Sequence, residues 1–486
     1  MLLNRRAFLE TVGSAVVVGS AAAIAAGCGR PPSAVKADYT LRIGKGTVEM
    51  APGRVVSTTL YNGQFPGPLL RFSEDTPVVV DVFNDTGTPE QLHWHGQTVP
   101  VGVDGSAEEG TPFVPARSMR RLSFTPGPSG LRFYHTHLVA GTDLNIGQYN
   151  GLVGPVYIEP KYNPGAYDRE VFLTLKEFGP SLSQGGDMAG DFLAGQPVAE
   201  LRDKGEAAMA ASLASGKPHG YEVGYDTFTI NGRMLGHGDP IRVKEGERIL
   251  LHVVNGSATE NRSLALPGHT FTVLALDGNA VPNPAPVPVL WLGAAERISA
   301  VVEMTNPGVW VLGDVSDDDR RHGMGIVVEY AGRTGDPRWA PPPPFTWDYL
   351  LFAQPGATPA APDEQIELLI EKRNADREGF NVWTLNGAAF DMSTAKPVFE
   401  LARGRRYRLR LRNATDDIHP IHLHRNTFEV THIAGTPTAG LRKDVAMLGG
   451  YQEMAIDIVA GQPGLSLLHC HQQLHMDYGF MALLHS

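Results

Sequence analysis

Apolar and polar residues alternate in short runs along most of this chain, and glycine or proline closes each run. Residues 78–82 (Val-Val-Val-Asp-Val) and 407–411 (Tyr-Arg-Leu-Arg-Leu) are typical. A period of two indicates strands with one buried face, and Gly and Pro between them indicate turns. The 55 glycines and 37 prolines fit a chain with many turns and few long helices. The pattern predicts an all-β protein built from Greek-key sandwiches.

One sequence pattern occurs three times and indicates three domains. Each copy starts with an Asn-Gly pair and ends, after an alternating apolar stretch, with an asparagine. The pairs follow Tyr61, Ile230 and Leu385, and the closing residues are Asn84, Asn255 and Asn413. A length of 486 residues also suits about three domains of ~150 residues. We expect domains at 38–160, 161–334 and 363–486.

Two segments break the strand pattern. Residues 197–215 contain an Ala/Met-rich run that predicts a helix inserted in the second domain. We expect a surface helix without a role, and the alternative is a helix that covers a metal site. Residues 335–362, with prolines at 341–344, predict a stiff linker into the third domain.

Ten of the seventeen histidines fall into four tight clusters. These are His93-Trp94-His95, His135-Thr136-His137, His419-Pro420-Ile421-His422-Leu423-His424, and His469-Cys470-His471 with His475. Side chains alternate between the two faces of a strand, so Cys470 should point away from His469 and His471. One short segment could therefore serve two metal centres. A thiolate with two imidazoles suits copper, while a zinc site and a buried thiol with incidental histidines are the alternatives.

In order and spacing, these clusters resemble those of the multicopper oxidase family, over nearly all of the chain after residue 38. The resemblance implies three consecutive cupredoxin-like Greek-key β-sandwich domains and four copper ions of three types. The second domain would hold no copper and act as a spacer that shapes a substrate cleft. The implied type 1 ligands are His419, Cys470 and His475, and the type 2 ligands are His93 and His422. The implied type 3 ligands are His95, His135, His137, His424, His469 and His471.

The resemblance also implies two catalytic residues. Cys470 would pass electrons from the type 1 copper through the backbone to His469 and His471. Asp104 would assist proton delivery to the oxygen-reducing copper cluster. The alternative for Asp104 is a turn aspartate, since Gly105 follows it.

The position that tunes the reduction potential of the type 1 copper departs from the commonest family pattern. Phe480 stands where many relatives have a weakly ligating methionine. A phenyl ring offers no donor, so the copper would have three ligands and a raised reduction potential. Met481 should point away from the metal, unless a local bulge turns it back.

Residues 1–37 resemble a signal region. Arg5 and Arg6 resemble a twin-arginine export signal, and an apolar run at 12–26 follows them. Cys28 resembles a lipoprotein attachment site, with simple signal cleavage as the alternative. We expect export to the periplasm or cell envelope, with membrane attachment only through a lipidated Cys28. The chain has two cysteines, so after processing Cys470 can form no structural disulfide.

The net charge and the implied copper ligands together limit the possible functions. The net charge of −11 argues against a nucleic-acid partner. The resemblance implies a laccase-like oxidase that takes single electrons from phenolic or aromatic donors and reduces O2 to water. Oxidation of cuprous or ferrous ions is the first alternative, and a non-catalytic copper-binding envelope protein is the second. The expected partners are O2 and small-molecule electron donors, and we expect a monomer.

Overall fold

The computed structural model describes residues 36–161, 165–183 and 192–486. The twin-arginine pair, the apolar run and Cys28 lie outside this range. Strand makes up 48% of the structure, which confirms the predicted all-β class. The described residues from Ala37 onward form one packed unit.

The first sandwich consists of two four-stranded sheets that share one apolar core. One sheet has the order β2-β1-β4-β6 and the other β3-β8-β7-β5. The short helix α1 (Val101–Asp104) and a 3₁₀ turn (Gly147–Tyr149) lie in its loops. The strands are β1 (Tyr39–Ala51), β2 (Arg54–Tyr61), β3 (Leu70–Ser73), β4 (Val78–Asn84), β5 (His93–His95), β6 (Ser118–Phe124), β7 (Gly130–His135) and β8 (Val153–Glu159).

The second sandwich is built around a six-stranded sheet of order β12-β9-β14-β19-β16-β17. A three-stranded sheet (β13-β21-β20) and two pairs (β15-β18 and β10-β11) complete it, with helices α2 (Ala199–Ala214) and α3 (Asp317–Arg321) in its loops. The strands are β9 (Arg169–Phe178), β10 (Ser181–Ser183), β11 (Glu222–Gly224), β12 (Thr227–Ile230), β13 (Ile241–Val243), β14 (Arg248–Asn255), β15 (Arg262–Leu264), β16 (Phe271–Leu276), β17 (Asn279–Val287), β18 (Leu290–Leu292), β19 (Arg297–Glu303), β20 (Val309–Gly313) and β21 (Gly325–Tyr330).

The third sandwich has a six-stranded sheet of order β23-β22-β25-β30-β27-β28 and a five-stranded sheet of order β24-β32-β31-β26-β29. Helix α4 (Gln473–Asp477) follows β31 directly. The strands are β22 (Glu364–Arg377), β23 (Phe380–Leu385), β24 (Val398–Glu400), β25 (Arg406–Asn413), β26 (His419–Leu423), β27 (Phe428–Ile433), β28 (Thr436–Lys443), β29 (Val445–Leu448), β30 (Glu453–Val459), β31 (Leu465–Cys470) and β32 (Met481–His485).

The three Asn-Gly pairs form equivalent turns. Asn62, Asn231 and Asn386 all have a left-handed backbone, with φ of 51°, 53° and 53°. Asparagine tolerates this region better than most residues, and the glycine after it adopts positive φ without strain. Each asparagine Oδ1 accepts a hydrogen bond of 2.6 to 2.8 Å from the backbone of a neighbouring strand. The threefold sequence pattern therefore has one structural cause, a tight turn tied to the adjacent strand.

The closing asparagines also share one role. Asn84, Asn255 and Asn413 are buried, and the Nδ2 of each donates two hydrogen bonds to carbonyl oxygens further along the chain. For Asn413 these acceptors belong to Asp417 and Gly449. The amide thus fixes the loop that leads into β26, the strand that begins at His419.

The predicted helix is present as α2, and it lies against the third sandwich. Arg412 donates a hydrogen bond of 2.9 Å to Glu200, and Asn374 Nδ2 lies 3.1 Å from Met209 Sδ. The helix is docked beside the strand that precedes His419. Whether it lacks a role, as expected, or covers a metal site stays a prediction. In the described range, no helix is long and apolar enough to cross a membrane.

The predicted linker is packed rather than free over its second half. A 3₁₀ turn (Tyr349–Phe352) forms there, and Trp347, Tyr349 and Phe352 are buried. Tyr349 OH donates a hydrogen bond to Glu296 of the second sandwich and accepts one from Met447 N of the third. The segment therefore joins two sandwiches by side-chain contacts as well as by covalent connection.

The three sandwiches meet at a small apolar cluster. Its buried members come from all three of them: Leu131, Phe133 and Val153 from the first, Val254 and Ala295 from the second, and Val445 from the third. Phe133 stacks on His95 with ring centroids 4.3 Å apart, so this junction lies directly beside the histidines of β5.

Candidate metal centre

One cysteine and two histidines of the third sandwich form a compact set, called here the thiolate site. Cys470 Sγ lies 3.6 Å from His419 Nδ1 and 3.4 Å from His475 Nδ1, and the two nitrogens are 3.1 Å apart. Cys470 ends β31, His419 begins β26, and α4 carries His475 back to them. All three residues are fully buried. A thiolate facing two imidazole nitrogens at this spacing can hold a copper ion.

Phe480 and Met481 lie in different environments. The Phe480 ring is 4.9 Å from the His419 ring and belongs to the same core as Cys470. Met481 packs instead in a separate cluster with Met476. Strand alternation across the start of β32 therefore turns the thioether away from the thiolate site.

Polar side chains orient the two imidazoles of the thiolate site. His419 Nε2 lies 2.9 Å from Thr415 Oγ1, which leaves Nδ1 to face Cys470. The His475 ring stacks on Trp383 at 3.9 Å, and Trp383 Nε1 donates to Asp417 Oδ2 at 2.9 Å. Burial lowers the pKa of His419 to about 4, so its nitrogen is neutral and ready to bind a metal at neutral pH.

Eight histidines from the first and third sandwiches converge in a second set, called here the histidine cluster. Their side-chain nitrogens approach within 4.8 Å in three groups, two of which share His95. The groups are His93 with His95 and His422, His95 with His135 and His471, and His137 with His424 and His469. Strand register explains the convergence, because His93 pairs with His135 between β5 and β7, and His422 pairs with His469 between β26 and β31.

Backbone carbonyls hold the outward nitrogens of several rings in the cluster. His93 Nδ1 lies 2.9 Å from Asp104 O, His422 Nδ1 lies 2.7 Å from Asp444 O, and His469 Nδ1 lies 2.8 Å from Cys470 O. The inward nitrogens of His93 and His422 are buried and have no hydrogen-bond partner. Orphaned imidazole nitrogens aimed at one another fit bound metal ions, because a buried polar atom without a partner is costly.

Burial also keeps these imidazoles neutral. The pKa lies well below its ordinary value for His95, His135, His422, His424, His469 and His471, mainly through burial and secondarily through neighbouring rings and, for His95, Arg297. Neutral imidazole is the form that binds metal ions.

Cys470 joins the two sets. Its thiol lies in the thiolate site, while its chain neighbours His469 and His471 belong to two different groups of the histidine cluster. Every histidine proposed as a ligand from the sequence lies in one of these sets. The remaining seven, at positions 219, 237, 252, 269, 322, 432 and 485, belong to none of the metal-like groups among the described residues.

Asp104 lies between two histidines of the cluster. Its Oδ2 is 3.1 Å from His93 Nδ1 and 2.9 Å from His424 Nδ1, while its buried Oδ1 has no hydrogen-bond partner. Gly105 makes this placement possible. Its φ is 97°, and a Cβ there would lie 1.9 Å from the Leu92 carbonyl oxygen. Asp104 therefore lies in a turn and also contacts two histidines of the cluster, and its role in proton delivery stays a prediction.

Sequence reasoning missed two acids near the cluster. Glu109 Oε1 lies 3.5 Å from His424 Nδ1 and accepts a hydrogen bond of 2.6 Å from Leu467 N. Burial, and then the neighbouring Asp104, hold the pKa of Glu109 well above its usual range. Glu108 Oε2 lies 3.5 Å from His137 Nδ1. In the sequence, two adjacent glutamates in a polar loop indicate a solvent-exposed turn. Only the structure shows that these two side chains are buried.

A buried charge network on the other side of the cluster was also missed. Asp444 Oδ1 lies 3.2 Å from His95 Nε2, and Arg297 donates to both oxygens of this carboxylate at 2.6 Å. Arg132 adds a third contact at 3.2 Å. The second sandwich was expected to act as a spacer, yet it supplies Arg297 to this network.

Comparison with known proteins gives one family. Sequence models described as multicopper oxidase match residues 42–163, 201–326 and 359–485. The chain is 28% identical to multicopper oxidase MmcO of Mycobacterium tuberculosis, over 96% of this chain and 90% of that protein. It is 29% identical to copper resistance protein A of Pseudomonas syringae pv. tomato, over 62% of this chain and 52% of that protein.

Solved structures share the fold. Fet3p, a multicopper oxidase that functions in iron import, superposes with a TM-score of 0.73 at 18% identity, over 92% of this chain and 89% of that one. A laccase from Botrytis aclada gives 0.72 at 20% identity, over 92% and 87%. Because the three matched segments follow one another along the chain and carry both metal-like sets, this protein belongs to the multicopper oxidase family.

Proposed function

We propose that the protein is a laccase-type oxidase that couples one-electron oxidation of phenolic or aromatic donors to the four-electron reduction of O2 to water. The observation that carries this proposal is the position of Cys470, in the thiolate site with both chain neighbours in the histidine cluster. Copper bound at these sites would supply the electron transfer and the oxygen chemistry. The donor set is intact, which disfavours a purely non-catalytic role.

In this proposal the thiolate site holds the type 1 copper, through His419, Cys470 and His475. The histidine cluster holds the other three copper ions, with the type 2 ligands His93 and His422. The type 3 ligands are His95, His135, His137, His424, His469 and His471. Electrons supplied by a copper ion at the thiolate site would pass from Cys470 through covalent bonds to His469 and His471.

A cavity beside the thiolate site is the proposed entry point for the donor. It has a volume of about 240 Å³ and lies between α2 and the third sandwich. Leu213 of α2 and Tyr451 line it, and so does Thr415, which contacts His419. Thr415 Oγ1 is 2.9 Å from His419 Nε2, so a single-ring phenol in the cavity would be one side chain away from the type 1 ligand.

Oxidation of a reduced metal ion is the second candidate, and the same cavity supports it. Met209, Glu206 and Asp416 line the cavity together. A thioether suits cuprous ion, while carboxylates suit ferrous ion. The two candidates differ in the donor and share the copper chemistry.

Protons for water formation are proposed to pass through Asp104. Its Oδ2 contacts two ligand histidines, and its Oδ1 is unpaired and buried. Glu109 lies beside it, and burial raises the pKa of its carboxyl, which favours the protonated form. This pair places a proton donor next to the cluster without exposing the cluster to solvent.

Oxygen uptake by copper-loaded protein tests the proposal. We expect an intensely blue protein that oxidises phenols or aromatic amines, consumes one O2 for every four donors and releases no hydrogen peroxide. Ferrous and cuprous ions serve as the competing donors in the same assay. Cys470→Ser should remove the blue colour and the turnover. A folded, fully metallated protein without colour or oxygen uptake on any donor would instead indicate a copper-binding envelope protein.

Export through the twin-arginine route remains a proposal that rests on Arg5, Arg6 and the apolar run after them. We propose a periplasmic or cell-envelope enzyme that works as a monomer. Cell fractionation of the full chain beside a variant with both arginines replaced by lysine tests the route. Detergent partitioning of Cys28→Ala tests lipid attachment.

A further inference from the structure

Among the described residues, the second sandwich contributes no side chain to either metal-like set. One of its side chains nevertheless reaches the histidine cluster through a single intermediary. Arg297 Nη1 and Nη2 donate to Asp444 Oδ1 and Oδ2, each at 2.6 Å. Asp444 Oδ1 in turn lies 3.2 Å from His95 Nε2. Arg297, Asp444 and His95 are each 0% exposed. A two-pronged contact of this kind fixes both the position and the plane of the carboxylate.

Asp444 acts on two rings of the cluster at once. Its carboxylate faces His95 Nε2, which leaves His95 Nδ1 turned inward, 3.3 Å from His135 Nε2. Its backbone oxygen lies 2.7 Å from His422 Nδ1, which leaves His422 Nε2 turned inward. A group that binds the outer nitrogen of a ligand histidine sets the tautomer and the ring orientation. One residue therefore orients ligands from both the first and the third sandwich.

The network that holds Asp444 draws on all three sandwiches. Arg132 from the first contacts the same carboxylate at 3.2 Å. Asp277 from the second accepts hydrogen bonds from Asp444 N at 3.3 Å and Val445 N at 3.1 Å, and its carboxylate contacts Lys443 at 2.9 Å. All these groups are buried, so each charge depends on its partners and the arrangement has little freedom to shift.

We propose that Arg297 is a positioning residue of the metal centre, and that the second sandwich is required to preorganise the copper ligands His95 and His422. The inference rests on the copper assignment of the proposed function. Arginine is required because lysine keeps the charge but cannot bond both oxygens of one carboxylate in a plane. Loss of the fork would let Asp444 rotate and release His95, without touching the thiolate site.

Replacement of Arg297 by lysine in the full chain tests this role. Arg262→Lys is the matched control, because Arg262 is another fully buried arginine of the second sandwich and contacts Asp319 at 2.9 Å. Each protein is titrated with cupric ion alone, in competition with a chelator. Copper content, blue absorption and the electron paramagnetic resonance signal of type 2 copper are recorded, with the unfolding temperature alongside.

We expect Arg297→Lys to weaken copper binding at the histidine cluster by about 10- to 100-fold while the blue absorption is retained. Arg262→Lys should lower the unfolding temperature and keep both sites loaded. Cluster affinity equal to that of the wild type in Arg297→Lys, or parallel loss of both sites with the unfolding temperature, would reduce the network to a structural clamp and overturn the inference.

Asp444→Asn provides a second test if the lysine variant does not fold. Asparagine preserves the volume of the side chain but removes the charge that pairs with Arg297, so the same selective loss is expected. Unchanged cluster binding in this variant would overturn the inference. A wild-type protein that binds no copper at the histidine cluster would be a failure of the proposed function itself, and this titration detects it separately.

Discussion

At the residue scale, Phe480 determines whether a further donor atom can approach the thiolate site. Its ring packs against His419 where a donor atom could otherwise approach the metal, and Met481 packs elsewhere. The placement of Met481 agrees with what alternation predicted, whereas the position of Phe480 was implied by the family resemblance. Asp104 was named from the family resemblance, as an acid a short loop beyond His93 and His95. Glu108 and Glu109 were not, because nothing in a Ser-Ala-Glu-Glu-Gly loop indicates that its carboxylates are buried.

At this scale we expect Phe480→Met to lower the reduction potential of the type 1 copper, because a thioether donor stabilises the oxidised ion. The blue absorption should persist with an altered spectrum. Met481→Leu is the matched control and should leave the potential unchanged. Redox titration monitored by the blue band measures both variants. An unchanged potential in Phe480→Met, or a shifted one in Met481→Leu, would contradict the orientation described for β32.

At the scale of secondary-structure elements, the turns could be predicted from the sequence, but the docking position of helix α2 could not. The Asn-Gly turns and closing asparagines were visible in the sequence, since both depend on local backbone geometry. The sequence also predicted helix α2, but it did not predict which part of the protein the helix packs against. It packs beside Ala414 and Thr415, so close that a Cβ on Gly205 would lie 2.4 Å from the Ala414 carbonyl oxygen. Gly205 thus permits the close approach that forms the donor cavity.

We therefore expect Gly205→Val to push α2 away from the third sandwich and to open the proposed cavity. Two-ring phenols should be oxidised severalfold faster, and single-ring phenols more slowly, because the cavity no longer fits them closely. Ala207→Val, on the exposed side of the same helix, is the control for a change in helix propensity. Steady-state kcat/KM on both donor classes measures the effect. Equal changes for both classes would exclude α2 as part of the donor site.

At the scale of the whole molecule, the sandwiches meet around buried polar groups as well as apolar ones. The histidine cluster takes ligands from the first and third sandwiches, and the Asp444 network adds the second. The thiolate site takes all its ligands from the third sandwich alone. Metal binding should therefore stabilise the assembly mainly through the cluster.

Copper removal should lower the unfolding temperature, because a ligand bound only to the folded state stabilises it. Copper-loaded Cys470→Ser should keep most of this stabilisation, since it loses a site that lies within one sandwich. Calorimetry of loaded wild type, chelated wild type and loaded Cys470→Ser compares the two contributions. If loaded Cys470→Ser unfolds as early as the chelated protein, the cluster does not join the domains.

The metal-free protein should also lose stability in mild acid. Burial holds the pKa of His419 at about 4 in the folded chain, below the value of ~6.5 for an unfolded one. The stabilising effect of each such histidine is full above pH 6.5 and is lost as the pH falls toward 4, at about 1.4 kcal/mol per pH unit. Urea unfolding of chelated protein at pH 7.5, 6 and 5 measures this. Equal stability at all three would show that these rings take up protons as readily in the folded state as in the unfolded one.

The sequence by itself determined the strand class, the three turn-and-strand patterns, the family and the residues that could bind metal. The strand class and the turns depend on alternation and local turn chemistry within short stretches of chain. The family and its ligands were implied by the resemblance of the histidine clusters to those of known relatives. Tertiary structure alone decided that α2 docks beside Thr415, that Glu109 reaches His424, and that Arg297 holds Asp444. These contacts join residues far apart in the chain, and no periodic pattern links their positions. Their energies depend on burial at the junction of three sandwiches, which exists only after the sandwiches have packed.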